Sequence, residues 1–227
     1  GKSIMLTTDS VTKIYNQNLP NQVVAVKDAS INVNEGEVVV LQGPSGSGKT
    51  TLLSMIGCQT KPNRGEVVIN KSRVSKLPDR FLNVFKRDNI GFIFQNYQLI
   101  PDLSVIDNIM LPMLPSGIPY KERISRAEAL MHQFDLMKRR TFDVRNLSGG
   151  EQQRVAIARA MVNQGKIILA DEPTAHLDTK LTGEFLEMIS DLKKNQYTVV
   201  ISSHDNEIIN HPVVNKVYHM KDGKVVS

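Results

Sequence analysis

The chain begins with β-type patterning. Residues 5–15 and 23–33 place apolar and polar positions in near alternation, and 38–41 and 67–69 are short apolar runs; all four predict strands. Across residues 102–138 the period becomes helical, with Ile124, Ala127, Met131 and Phe134 recurring three or four positions apart and Pro112, Pro115 and Pro119 interrupting the segment. This predicts a helical insert with a loop of its own. Beyond it, helix-period segments at 149–163 and 181–194 alternate with strand-like segments at 166–170 and 198–201; in the second helix Leu181, Phe185, Met188 and Leu192 share one face. Alternation of this kind predicts an α/β fold, a mostly parallel sheet covered on both faces.

Composition narrows the picture without deciding it. The 227 residues are 41% hydrophobic and 22% charged, an ordinary globular composition that excludes coiled-coil, collagen-like and disordered classes. The longest apolar runs, 38–41 and 167–170, fall far short of the roughly 18 residues a membrane span needs. Twenty-eight Lys and Arg against 23 Asp and Glu leave a net charge of +5, compatible with nucleic acid, an anionic membrane surface or a polyphosphate ligand. Cys58 is the sole cysteine. It excludes an internal disulfide, predicts a reducing compartment, and in its apolar setting reads as a small core residue. No signal-peptide pattern is present at the N-terminus, so the expected location is the cytoplasm.

The candidate chemistry sits where apolar strands end. Residues 38–41 run into a polar stretch at 42–51, Phe94 into Gln95, Ala170 into Asp171 and Glu172, and Ile201 into Ser202, Ser203 and His204. In an open parallel sheet ligands bind beyond the carboxyl ends of the strands, so these groups are expected to meet on one ligand. Gly43, Pro44, Ser45, Gly46, Ser47, Gly48, Lys49 and Thr50 fit G-x-x-x-x-G-K-[ST], followed by Thr51 and an amphipathic helix carrying Leu52, Leu53 and Ile56. Glycines let backbone N–H groups turn inward around phosphate oxygens, and the helix start adds its positive end. Lys49 is expected to reach the β- and γ-phosphates of a nucleotide, and the Thr50 hydroxyl to ligate Mg²⁺.

Two adjacent carboxylates close a buried strand. Successive residues leaving a strand point in different directions; Asp171 is thus assigned to the metal shell, and Glu172 to general-base activation of the attacking water. His204 is placed at the same sheet edge to contact the γ-phosphate and orient the water. Ser148, Gly149, Gly150 and Glu151 open a helix, and two readings stand side by side. S-x-x-E is a capping box, while two glycines and a serine at a helix start also make an anion site.

The motif Leu147-Ser148-Gly149-Gly150-Glu151-Gln152-Gln153-Arg154, joined to the phosphate loop, resembles the signature of the ATP-binding cassette superfamily over essentially the whole chain. The resemblance implies a P-loop cassette with an N-terminal antiparallel β portion, a core of residues 1–95 and 147–227, and an inserted helical subdomain at 96–146. It further implies a homodimer of cassettes paired head to tail, Ser148 and Gly150 of one subunit facing the γ-phosphate held by the other. Tyr15 matches the aromatic that stacks on adenine, a strand tyrosine in the core being the rival reading. Gln95 matches the glutamine that touches Mg²⁺ and water and links the site to the insert, and Asp178 the loop that crosses the dimer interface. His176 departs from the small residue or Asn usual at its position. Residues 90–95, 99–101 and 111–123 are similar to the lipoprotein-release and macrolide-efflux group.

The function expected from the resemblance is an ATPase subunit that binds Mg-ATP, dimerises and drives a separate transmembrane permease contacted by the helical subdomain, on the inner face of the membrane. A nucleotide-gated regulatory ATPase that moves no solute is the alternative the residues leave open. Nucleic acid is not an expected partner: the chain is one cassette with no heptad arm.

Overall fold

The computed structural model describes residues 3–227, so the first two residues of the expected core segment 1–95 lie outside it. Two long strands, β1 (Ile4–Tyr15) and β2 (Val23–Asn34), pair antiparallel, and β4 (Arg64–Ile69) and the short β5 (Ser72–Arg73) complete a four-stranded sheet in the order β2-β1-β4-β5. The main sheet holds six strands. Its order is β10-β9-β3-β8-β7-β6, built from β3 (Val38–Gln42), β6 (Ile90–Ile93), β7 (Ile167–Asp171), β8 (Thr198–Ser203), β9 (Lys216–Lys221) and β10 (Lys224–Val225). All of its pairings are parallel except that of β10 on β9.

The central strands are apolar along their middles because both their faces are buried, with polar residues such as Thr198, Ser202, Ser203 and Asp171 kept to their ends. Side chains alternate across the pleat, so Val38, Val40, Ile168, Ala170, Val199 and Ile201 face one hydrophobic core while Val39, Leu41, Ile167, Leu169 and Val200 face a second. The second core is closed by α1 (Lys49–Ile56) and the antiparallel sheet; the first is closed by α5 (Gly149–Met161), α6 (Thr179–Lys194) and the insert. Cys58 belongs to the second core, where burial pushes its thiol up to about 11. The helix α2 (Asp79–Asn89), which lies outside the predicted elements, buries Leu82, rests Phe85 against the second core and leaves Phe81 and Val84 exposed.

The insert carries α3 (Val105–Met110), a proline-containing 3₁₀ stretch (Leu111–Ser116) and α4 (Tyr120–Gln133). Its ends are stitched together: the Val105 amide donates to Phe142 O at 3.0 Å and the Val144 amide to Leu103 O at 3.1 Å. The insert has no core of its own, since Val105, Ile109, Met113, Ala127 and Met131 join the same apolar cluster as α5 and the sheet. Its entry is fixed by Asn108, fully buried, whose Oδ1 accepts from the Ile100 amide at 2.8 Å and whose Nδ2 lies within 3.3 Å of the carbonyls of Ile100, Leu103 and Ser104. Leucine at this position would keep the volume and leave the Ile100 amide without its acceptor, while the carbonyls of Ile100, Leu103 and Ser104 keep backbone donors. Asn108→Leu is expected to lower the unfolding free energy by about 1–3 kcal/mol in urea melts; an unchanged unfolding free energy would show that the Ile100 amide finds water instead.

Candidate active site

Neighbouring strands deliver the chemistry to one edge. In the order β3-β8-β7-β6, Gln42 lies opposite Ser203, Ser202 opposite Asp171, and Ala170 opposite Ile93, so the residues that follow these strands emerge side by side. The loop after β3 is a cradle. Gly48 sits at φ 100°, and a Cβ there would lie 2.6 Å from the Ala25 carbonyl oxygen, so only glycine fits. Gly48 also precedes α1 as a cap with no side-chain hydrogen bond, and the first turn of α1 holds no acidic residue. The N–H groups at that helix start are therefore left for an outside anion. Ser47, buried in the loop, has an Oγ with no hydrogen-bond partner.

Lys49 is buried, and its Nζ lies 2.7 Å from Glu172 Oε1 and 3.4 Å from Pro44 O. At the end of β7, Asp171 Oδ1 accepts from Thr50 Oγ1 at 3.0 Å and from Ser202 Oγ at 2.7 Å, tying the phosphate loop to two strands. Glu172 turns away from Asp171 through a left-handed φ of 44°, its amide held by Ser202 Oγ at 3.0 Å. Its carboxylate meets His204 Nδ1 at 3.1 Å; the imidazole is largely exposed while the carboxylate is buried. A hard cation fits the donors here: one carboxylate (Asp171), one hydroxyl (Thr50) and one amide (Gln95) are the oxygen types Mg²⁺ takes when phosphates complete its shell. Among the described residues no cluster of three His, Cys, Asp or Glu forms a self-sufficient metal cage.

A cleft of about 730 Å³ opens over this edge. Ser45, Gly46, Gly48, Lys49, Thr50 and Thr51 line one side, with Gln95, Glu172, His176 and His204 around the same space. Gly43, Pro44, Ser47 and Asp171 are not part of the lining; Gly43, Ser47 and Asp171 are buried, and Pro44 is exposed. Tyr15 lies at the end of β1 opposite Val23, which lines the cleft together with Val24 and Ala25; the ring itself is half-exposed, with Lys13 Nζ 5.5 Å from its centroid. The β9–β10 turn, Asp222–Gly223, also lines the cleft, and the Gly223 amide donates to Ser47 O at 2.9 Å. That turn was missed in the sequence, although Asp-Gly between strand-like segments is a hairpin signal.

Ser148, Gly149, Gly150, Glu151 and Asp178 do not line the cleft. The capping box is formed: Ser148 Oγ accepts from the Glu151 amide at 3.2 Å, and Glu151 Oε1 accepts from the Ser148 amide at 3.0 Å. That backbone hydrogen bond, helped by Arg139 at 3.0 Å, holds the Glu151 carboxyl below its ordinary range. Glu151 is thus occupied as a cap, while helix geometry leaves the first-turn N–H groups of Gly149 and Gly150 without intrahelical partners. Asp178 caps α6, accepting from the Leu181 amide at 2.8 Å. Both helix starts adjoin, since a Cβ on Gly150 would stand 3.4 Å from Leu181 Cδ2.

A glycine cradle between a central parallel strand and an uncapped helix, with a hydroxyl and a carboxylate bonded across it, is the phosphate site of a P-loop ATPase. The ABC transporter family matches residues 26–175, and the chain belongs to that family as an ATP-binding cassette that hydrolyses ATP. It is 42% identical to an uncharacterized ABC transporter ATP-binding protein of Thermotoga maritima, over 99% of this chain and 94% of that protein. It is 39% identical to the macrolide export ATP-binding/permease protein MacB of Pectobacterium atrosepticum, over 98% of this chain but only 34% of MacB. Among solved structures, the dimeric post-hydrolysis state of the ATP-binding cassette MJ0796 bound to ADP and Pi superposes with a TM-score of 0.87 at 38% identity, covering 98% of this chain and 97% of that one.

Proposed function

We propose that the chain binds Mg-ATP in the cleft, pairs head to tail with a second copy, and uses hydrolysis to drive a separate membrane-spanning permease through the arm at residues 96–146. The observation that carries the pairing is the separation of two anion-type helix starts: α1 lines the cleft and α5 does not. A second copy facing the first would bring its Ser148 and Gly150 to the phosphates that α1 holds. The dimeric MJ0796 cassette with ADP and Pi supports that arrangement, and the union of ATP-binding and permease functions in MacB supports a membrane partner. Among the described residues no helix is long and apolar enough to cross a membrane.

In this reading the loop N–H groups and Lys49 hold the β- and γ-phosphates, and Tyr15 stacks on adenine. Thr50, Asp171 and Gln95 hold Mg²⁺, which when bound neutralises charge developing on the phosphate oxygens. Glu172 takes a proton from the attacking water, and His204, bonded to Glu172, orients it. Loss of the γ-phosphate removes contacts shared by both copies and lets them part, a ligand-driven population shift.

A site built from two copies makes specific activity depend on chain concentration. ATP turnover per chain is expected to rise with concentration and then plateau, with a Hill coefficient for ATP above one; a flat specific activity across a hundredfold dilution would overturn the pairing. Reconstitution with the membrane subunit separates transport, in which a solute crosses vesicles, from ATPase stimulation alone.

A further inference from the structure

Just past Gln95 the backbone takes an unusual course. Asn96, Tyr97 and Gln98 lie at φ 56°, 63° and 48°, three consecutive non-glycine residues in the left-handed region. Asparagine tolerates that region, but a bulky tyrosine there is an outlier that surrounding structure must impose. The structure supplies the means in three buried polar side chains that nothing above has used. Arg159, from α5, donates to the carbonyl of Tyr97 and, at 3.1 Å, to that of Gln98, with its guanidinium 5.9 Å from the ring centroid of Phe94. The Tyr97 hydroxyl donates to Gln153 Oε1 at 3.0 Å, and Gln153 Nε2 donates to Leu181 O at 3.2 Å. Gln153 is fully buried, and Tyr97 and Arg159 nearly so. Burial pushes the Tyr97 phenol up to about 12, so it remains a donor at neutral pH.

We infer that Arg159, Tyr97 and Gln153 are positioning residues that clamp the loop behind Gln95 and so fix that glutamine at the cleft. Gln95 is exposed and has no hydrogen bond of its own, so its place depends on the loop that follows it. The clamp reaches one turn down α5 from the Ser148 start and touches α6 three residues after Asp178, tying Gln95 to both elements of the second half-site. Two polar bonds on one tyrosine and one glutamine also leave no slack: a change at either end shifts the whole loop. This inference rests on the role given to Gln95 above.

The test uses Tyr97→Phe, Gln153→Met, their double variant, and Gln95→Ala, each measured for kcat, for the Kd of a fluorescent ATP analogue without Mg²⁺, and for Tm. Tyr97→Phe leaves Gln153 Oε1 buried without a donor, so Tm falls and kcat falls about fivefold, the loss of one net hydrogen bond, while the metal-free Kd stays within about twofold. The double variant removes both buried polar atoms, so Tm recovers while kcat stays low. Recovery of kcat along with Tm, or a wild-type kcat in Tyr97→Phe, would reduce the three side chains to packing and overturn the clamp. A wild-type kcat in Gln95→Ala overturns the role of Gln95 itself and the clamp with it. A slow Gln95→Ala beside a fast Tyr97→Phe overturns the clamp alone.

Discussion

Glu172→Gln is expected to lower ATP turnover by about 10²–10⁴-fold, the usual contribution of a general base, while ATP still binds. Glutamine keeps the volume and can still bond His204, so the packing beneath the loop survives. It loses the proton-accepting oxygen and the negative charge that now lies 2.7 Å from Lys49 Nζ. The two losses act in opposite directions on two observables. Water activation fails, and an ammonium freed from its buried ion pair attracts phosphate more strongly, so affinity holds or rises. A variant that binds ATP and cannot remove the γ-phosphate accumulates as the closed pair: with Mg-ATP, size-exclusion chromatography with light scattering is expected to read twice the chain mass of 25.4 kDa. Wild-type turnover in this variant would remove Glu172 from the mechanism. Slow turnover without a doubled mass would leave Glu172 as the base and remove the pair.

Gly150→Asp is expected to separate the fold of one copy from the function of two. Gly150 occupies the second position of α5, where a carboxylate opposes the positive end of the helix and, replacing glycine, raises helix propensity; Tm is expected to hold or rise slightly. A Cβ at this position meets Glu184 Oε2, Leu181 Cδ2 and Arg154 at 3.4–3.6 Å, ordinary contact, so the subunit can accept the side chain. The same carboxylate would face the γ-phosphate across the pair, and like charges at close quarters cost far more than the helix gains. Turnover is expected to fall about a hundredfold or more, the equivalent of roughly 3 kcal/mol, and the ATP-driven doubling of mass to vanish. ATP binding to the single copy should persist, since Gly150 is absent from the cleft. Full activity with intact Tm would return the Ser148–Glu151 turn to its other reading, a capping box and nothing more.

The two readings of that turn show where sequence reasoning stops. Ser148 and Glu151 do form the capping box. A box does not require the two glycines, which weaken a first turn and point to an anion site, but an anion site needs a second surface that four residues do not contain. Position relative to the cleft, outside it, is what turns the two glycines into a question about a partner. A related limit applies to Tyr15. Its strand was clear from alternation, but its half-exposed ring beside the cleft, opposite Val23, follows from the pairing of β1 with β2. The β9–β10 hairpin escaped for a simpler reason, too few buried apolar positions for alternation to register, whereas α2 does carry a helical period, with Phe85 four positions after Phe81 and three after Leu82.

By itself the sequence determined the local chemistry. The phosphate loop, the paired carboxylates and the strand ends are contiguous in the chain, and short-range sterics, glycine freedom and hydrophobic period act over just such distances. Tertiary structure alone decided which distant groups meet. Thr50 bonds Asp171 across 121 positions of sequence, Lys49 pairs with Glu172, and Tyr97 reaches Gln153, because a parallel sheet sets strands far apart in the chain side by side and in register. No period in the sequence encodes that order.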